Sequence, residues 1–278
     1  MIHPQFSGIV MVLTMTLLPG TLPPATSSQE WAVSYTAKQL HCARFLETVA
    51  SEILTEAGGR TRRQTADRRG VWQFRAAPSN DDVALEGWLD SLVLSRRSPE
   101  TTISPDTDGL LGGRYRGTLS RTGAYTAQVR PFVPDEVAEV AGMENAIEDL
   151  FPPLPGRVLQ PGESWSDSTG VTLKRLPDSA LSGVPLYRFE LDVRTEALNA
   201  PSGADTLPLE LQQKTREHGQ FVWHPLLGLV RRERSIVVET TVPPSRTVRQ
   251  AVRSKVEQWI TLVRDLGPVG CRPGSAGQ

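Results

Sequence analysis

Residues 184–196 read Val-Pro-Leu-Tyr-Arg-Phe-Glu-Leu-Asp-Val-Arg-Thr-Glu. Tyr187, Phe189, Leu191 and Val193 alternate with Arg188, Glu190, Asp192 and Arg194, which is a period of two. Successive side chains on a strand point to opposite faces, so this stretch predicts a strand with one buried and one wet face. That alternation belongs to antiparallel sheets, because parallel strands are usually buried on both sides. The fold expectation is therefore mainly β and antiparallel.

Working outward, the same pattern returns. From Arg114 to Val129 a hairpin is expected, with Arg121-Thr122-Gly123 as its turn. Residues Leu227 to Val242 and Arg246 to Val263 are rich in β-branched residues and joined by Pro243-Pro244-Ser245. Val248, Val252, Val256 and Ile260 recur every fourth residue and suit a helix as well; the hairpin-like connection favours strands. Two segments stay open at this level. Residues 43–57 read as a helix ending at Gly58-Gly59 or as a strand turning there into Arg60 to Ala76, and the hairpin is preferred. Residues 83–95 read as a strand, with a helix capped by Asn80-Asp81-Asp82 as the other reading.

One helix is expected over about residues 134–150. Pro134 suits its first turn, and Asp135 and Glu136 complement the dipole there. Val137, Val140, Ala141, Ile147, Leu150 and Phe151 would form its apolar face. Pro152-Pro153 stops it, and a new strand begins near Trp165. Strands, one amphipathic helix, then strands again imply a strongly curved sheet or open half-barrel with the helix packed against its concave face.

The chain has 278 residues, a net charge of −1 and 38% hydrophobic residues, so it has material for a real core and lacks the basic excess of a dedicated nucleic-acid binder. The apolar run Ile9 to Leu18 is closed by Pro19-Gly20 and followed by Ala25-Thr26-Ser27-Ser28. A membrane span needs about 20 apolar residues. The run is shorter, and it reads as the core of a signal peptide over residues 1–28. The expected organisation is a single β-rich domain over 29–265 and a loose tail over 266–278. Within the domain, a β half spans 29–130, the helix and a proline-rich connector 131–162, and a second β half 163–265. An extracytoplasmic location, periplasmic or secreted, follows from the signal, with no integral membrane segment left after its removal. In an oxidising compartment Cys42 and Cys271 would form the single possible disulfide; two unrelated thiols are the other reading.

Asp106-Thr107-Asp108-Gly109 precedes a Gly-Gly pair; after it come the helix, Phe151-Pro152-Pro153-Leu154-Pro155, and Pro161-Gly162-Glu163-Ser164-Trp165. Over roughly residues 84–195 this resembles a group of uncharacterised exported bacterial β-rich proteins. In these a helix, a Pro-Leu-Pro connector and a Gly-x-x-Trp start of a strand follow in that order. The resemblance implies an extracytoplasmic β-rich protein and brings no activity. In architecture alone the chain is similar to half-barrel lipoprotein carriers of the LolA type.

Catalytic signatures are missing from the sequence. No Gly-x-Ser-x-Gly elbow, Ser-x-x-Lys pair, His-Glu-x-x-His or Cys-x-x-Cys occurs, so no catalytic residue, cofactor site or metal site is assigned. Asp106 and Asp108 open like a calcium loop, but its fifth and twelfth positions are Leu110 and Gly117, so the aspartates read as turn caps. His218 and His224 read as solvent-contacting residues at strand ends, and Trp88, Trp165, Trp223 and Trp259 as core. Arg60, Arg62, Arg63, Arg68, Arg69 and Arg75 crowd one stretch, while Phe132 to Gly156 holds six acids and no Lys or Arg.

The expected function is a non-catalytic envelope protein that binds an apolar or amphipathic ligand, or an envelope protein partner, in the curved sheet. No nucleic-acid partner is expected. A hydrolase with carboxylates gathered on the concave face and a structural interaction module are the alternatives. The first requires an apolar pocket between helix and sheet, the second converging carboxylates, the third a filled interior.

Overall fold

The computed structural model describes residues 33–143, 146–181, 183–198, 211–244 and 250–267. The predicted signal segment and Cys271 lie outside the described residues. The strands are β1 (Arg44–Ala57), β2 (Arg60–Ser79), β3 (Asp82–Arg97), β4 (Thr102–Ile103), β5 (Tyr115–Leu119), β6 (Tyr125–Val129), β7 (Ser164–Ser166), β8 (Val171–Leu181), β9 (Val184–Leu198), β10 (Gln212–His224), β11 (Gly228–Val242) and β12 (Val252–Arg264). Two short helices are α1 (Ala37–Leu40) and α2 (Asp135–Val140).

All twelve strands belong to one antiparallel sheet, in the order β6-β5-β3-β2-β1-β12-β11-β10-β9-β8-β7 with β4 paired to β3. The sheet is not closed into a barrel. Its centre is the pairing of β1 with β12, near the two ends of the described chain, which welds the strands before α2 to those after it.

Both open segments are strands. Gly58 and Gly59 have φ of 58° and 73°, and Ala57 pairs with Arg60 across them. A two-residue loop with both φ positive matches the twist of a hairpin, which is why the glycine pair turns the strand instead of ending a helix. In β3 the partner register jumps from Ser91 to Leu89, so Asp90 is an inserted residue. The insertion shifts the inward alternation from Val83, Leu85 and Leu89 to Leu92 and Leu94, all buried. The Asp90 carboxylate accepts from the Trp88 indole, 2.9 Å away.

The expected helix is short. It covers Asp135–Val140 and ends at Ala141, which is extended at φ −149° and ψ 128°. Gly142 follows, and residues 146–150 are turns. Sheet side chains compete for the carbonyls that a longer helix would bond internally. Arg96 donates to Glu139 O at 2.7 Å, Tyr115 to Met143 O at 2.9 Å and Arg232 to Asp149 O at 2.7 Å. The apolar residues assigned to a helix face still go inward. Val137, Ile147, Leu150 and Phe151 join Met143, Leu154 and Leu159 in the buried core, so the segment is a plug held by an irregular backbone. Gly87 of β3 lies under it: a Cβ there would sit 2.6 Å from Ile147 Cδ1 and 2.8 Å from Phe74.

The plug and the chain around Val33, Tyr35 and Leu40 bury Phe45, Trp72, Phe74, Phe189, Phe221 and Trp223 at one end of the concave face. Tyr35 packs edge-on against Phe151 and Trp223, with centroids 5.4 and 5.1 Å apart. The Trp expectation holds for Trp223 but not for Trp259, which is 48% exposed on the convex face. Alternation places it there, since its β12 neighbours Gln258 and Ile260 face inward.

The disulfide gains a topological argument. Asp265 N donates to Arg44 O at 2.8 Å, and the two side chains lie 3.5 Å apart, so β12 ends two residues from Cys42 in β1's lead-in. Five residues lie between Asp265 and Cys271, a length of chain sufficient to reach Cys42. We expect free-thiol titration of the unfolded, unreduced protein to find no thiol; two per chain would end the pairing.

Candidate functional site

The sheet register arranges the concave side chains in rows. One row runs Leu92, Gly70, Glu47, Leu262, Arg232, Phe221, Phe189. The next runs Leu94, Arg68, Val49, Ile260, Arg234, Gly219, Leu191, and the one after it Arg96, Ala66, Ser51, Gln258, Ile236, Glu217, Val193. A fourth holds Gln64, Ile53, Val256, Val238, Thr215 and Thr195. The first row lies largely in the aromatic core. Glu47 and Arg232 of this row, with Arg68 and Arg234 of the second and Glu217 of the third, make a belt of charge at the point where the plug stops.

That belt is two networks. On the β1–β2 side, Glu47 is 3% exposed and takes Arg68 Nη2 at 2.7 Å and the Trp72 indole at 3.1 Å. Arg68 also reaches the Met143 sulfur at 3.4 Å, which ties the plug to β2. On the β10–β11 side, Glu217 accepts from Arg232 at 2.8 Å and from Arg234 at 3.3 Å. Two buried arginines share this one carboxylate. Burial and the neighbouring Arg234 pull the Arg232 guanidinium down to about 10, against the opposing effect of Glu217. The Nε atoms of Arg68, Arg232 and Arg234 are buried with no partner.

Between the networks lies a small cavity of about 110 Å³. Val49, Ile260, Ser51 and Gln258 line it, Arg68 and Arg234 flank it, and Val140 to Gly142 of the plug roof it. Asp149, at its edge, is exposed. Beyond it toward the strand tips, the inward residues Ile53, Ile236, Val238 and Val256 are half-buried and stand outside the aromatic core. With Thr55, Ser254 and Thr240 they make a trough of inward-facing side chains on neighbouring strands. From Arg234 to Thr240 it runs roughly 20 Å at the usual rise of a strand.

The expected pocket between helix and sheet is thus corrected. Met143, Ile147, Leu150 and Phe151 fill that space except for the small cavity under Val140 to Gly142, and the open surface lies beside it. Sequence reading missed the belt because Arg68 stood among five other arginines, and because Glu47, Glu217, Arg232 and Arg234 are scattered along three strands. One signal was available: each is a charged residue at a position where the alternation calls for an inward, apolar one.

The other sequence candidates disperse. Asp106 accepts from Asp108 N at 2.9 Å and both are exposed, the geometry of a capped turn. Among the described residues no group of three His, Cys, Asp or Glu is placed to hold a metal. His218 lies within β10, exposed and 3.0 Å from Asp192. His224 departs from its expected solvent contact: it is 8% exposed, and its Nδ1 accepts from Leu226 N and Leu227 N at 3.1 and 3.2 Å. Burial and Arg264 lower its pKa below the ordinary value. The arginine-rich stretch is distributed, not a patch. Arg63 meets Glu52, Arg62 meets Glu100 and Arg75 meets Glu86, while Glu148 of the acidic segment is held by Arg130.

No protein-family model matches the sequence, and no curated protein is similar to it. Among solved structures, lipovitellin, in a structure concerned with lipid–protein interactions, aligns over 81% of this chain with a TM-score of 0.43 and 10% identity. The chain spans 25% of the length of that protein. A domain from Vibrio parahaemolyticus described as an outer membrane lipoprotein-sorting protein aligns over 80% of this chain and 86% of its own, with a TM-score of 0.17 and 9% identity. An exported protein of YmcC-like fold from Bacteroides fragilis aligns over 82% and 97%, with a TM-score of 0.18 and 13% identity.

Proposed function

We propose that this is an exported, non-catalytic binding protein that holds an amphipathic ligand in the concave trough beyond the plug. One observation carries the reading. Ile53, Ile236, Val238 and Val256 form a continuous inward-facing apolar strip that is half-buried, next to a cavity lined by the buried Arg234 and the half-buried Arg68. Apolar surface gathered in a concavity gains about 25 cal/mol for each Å² a ligand covers. The charged belt gives that concavity a polar end, so the shape suits a molecule with one end of each kind.

The hydrolase alternative asks for carboxylates converging on one point. Glu47 and Glu217 sit on strands three spacings apart, about 14 Å. Each spends its oxygens on arginine or indole donors. The arrangement supports binding.

Lipid-stripped protein titrated with the uncharged apolar dye Nile red tests this. Saturable enhancement of emission, displaced by long-chain amphiphiles and lost in Val238→Asp/Val256→Asp, is the expected result. Folded wild-type protein that enhances no emission would overturn the proposal.

A further inference from the structure

The charges of the belt do not cancel. Arg68, Arg232 and Arg234 face Glu47 and Glu217 within the belt, so its excess of one positive charge belongs to those five side chains alone, and the cavity beside them is also bordered by Asp67 and the exposed Asp149. Arg234 is 9% exposed and Arg232 5%. A buried guanidinium is costly unless its five N–H groups are matched, and neither Arg68 nor Arg234 achieves this: the Nε of each is without a partner. Arg234 gives Nη1 to Glu217 at 3.3 Å, longer than a strong charge-assisted bond. Arg68 spends Nη1 on a thioether, a weak acceptor. Both residues line the cavity, with Val49 and Ile260 and the polar Ser51 and Gln258 between them.

We propose that this cavity is an anion subsite that receives the carboxylate of a long-chain fatty acid, whose tail lies along the trough over Ile53, Val256 and Val238. The inference rests on the amphiphile reading above and goes further, fixing the charge of the ligand and the direction in which it lies. Two features select this occupant. The guanidinium fork matches the two oxygens of a carboxylate. The size also fits: about 110 Å³ is a few water volumes, enough for a carboxylate with its solvent and too little for a sugar or a nucleotide. The trough, roughly 20 Å long, accommodates a chain that spans one leaflet of a bilayer, about 15 Å. Such a tail would slide in from the strand tips, head first, and stop where Arg234 and Arg68 meet its charge.

The test compares two ligands of equal tail on the full chain: palmitate and hexadecanol, each below its aggregation limit, by displacement of Nile red. Wild type is expected to bind palmitate at least about tenfold tighter, a difference of about 1.4 kcal/mol. Arg234→Gln and Arg68→Gln, each checked for an intact thermal transition, are expected to erase that ratio while leaving hexadecanol affinity within a factor of about two. Equal affinity of wild type for the two ligands would overturn the anion subsite and leave the amphiphile reading standing. A palmitate preference that survives both substitutions would also overturn it, by placing the charge recognition elsewhere. Failure of both ligands to displace the dye would end both readings. The wild-type comparison stands even if a variant fails to fold.

Discussion

Ile147→Asp is expected to destabilise the protein by at least about 3 kcal/mol, because it puts a carboxylate at a site that is 1% exposed and packed on Gly87 and Phe74. In a domain of this size that lowers the melting temperature by roughly 10 °C. Glu139→Lys, at an exposed position on α2, should move stability by no more than about 0.5 kcal/mol. The pair separates two views of the plug. If the segment were a surface helix resting on the sheet, the two substitutions would cost similar amounts. If it is the stopper of the concave face, only the first is severe, and thermal melts of both variants decide.

The second large effect concerns the carboxylate that two arginines share. Glu217→Ala leaves Arg232 and Arg234 buried beside each other, 2.8 and 3.3 Å from oxygens that are no longer there. Removing one partner of a buried ion pair costs about 3–5 kcal/mol, since the remaining charge is uncompensated. Here the loss should sit at the upper end, because two like charges are exposed to each other. A second readout ties the effect to the anion subsite. Palmitate should raise the melting temperature of Glu217→Ala by more degrees than it raises that of wild type, since its carboxylate replaces the missing one. An equal rise in both would argue that the ligand does not reach Arg234. Near-neutral stability of Glu217→Ala in chemical denaturation would show that the arginines are not confined as described.

How much of this was legible in the sequence follows from the range of each interaction. Alternation is local, so Tyr187 to Val193 and the Tyr115 and Tyr125 arms declared their faces directly. The Gly58-Gly59 turn was ambiguous because glycine both ends helices and closes hairpins; the pairing of Glu56 with Thr61 and with Arg253 settles it, and that is a long-range fact. The plug shows the opposite balance. Its apolar residues were correctly assigned inward, yet its backbone was expected to be helical through residue 150. Arg96, Tyr115 and Arg232, none of them nearby in sequence, take the carbonyls that a helix would keep. The site itself was the least legible part. Arg68 pairs with Glu47, 21 positions away, and Arg232 reaches Asp149 across 83. Only the sheet register brings them to one belt. The bulge at Asp90 and the outward Trp259 fall in the same class, since single insertions and the parity of a strand are set by partners.

The central claim is positional: an acyl chain lies in the concave trough with its charged end at Arg68 and Arg234. A palmitate analogue carrying a photoreactive diazirine near the end of its tail tests it most directly, with cross-linked peptides read by mass spectrometry. The account predicts labelling on inward residues of the strand tips, Ile53, Val238, Thr240 and Val256, and its loss in competition with excess palmitate. Labelling on the convex face, at Leu54, Trp259 or Lys255, or labelling that palmitate does not compete, would contradict it.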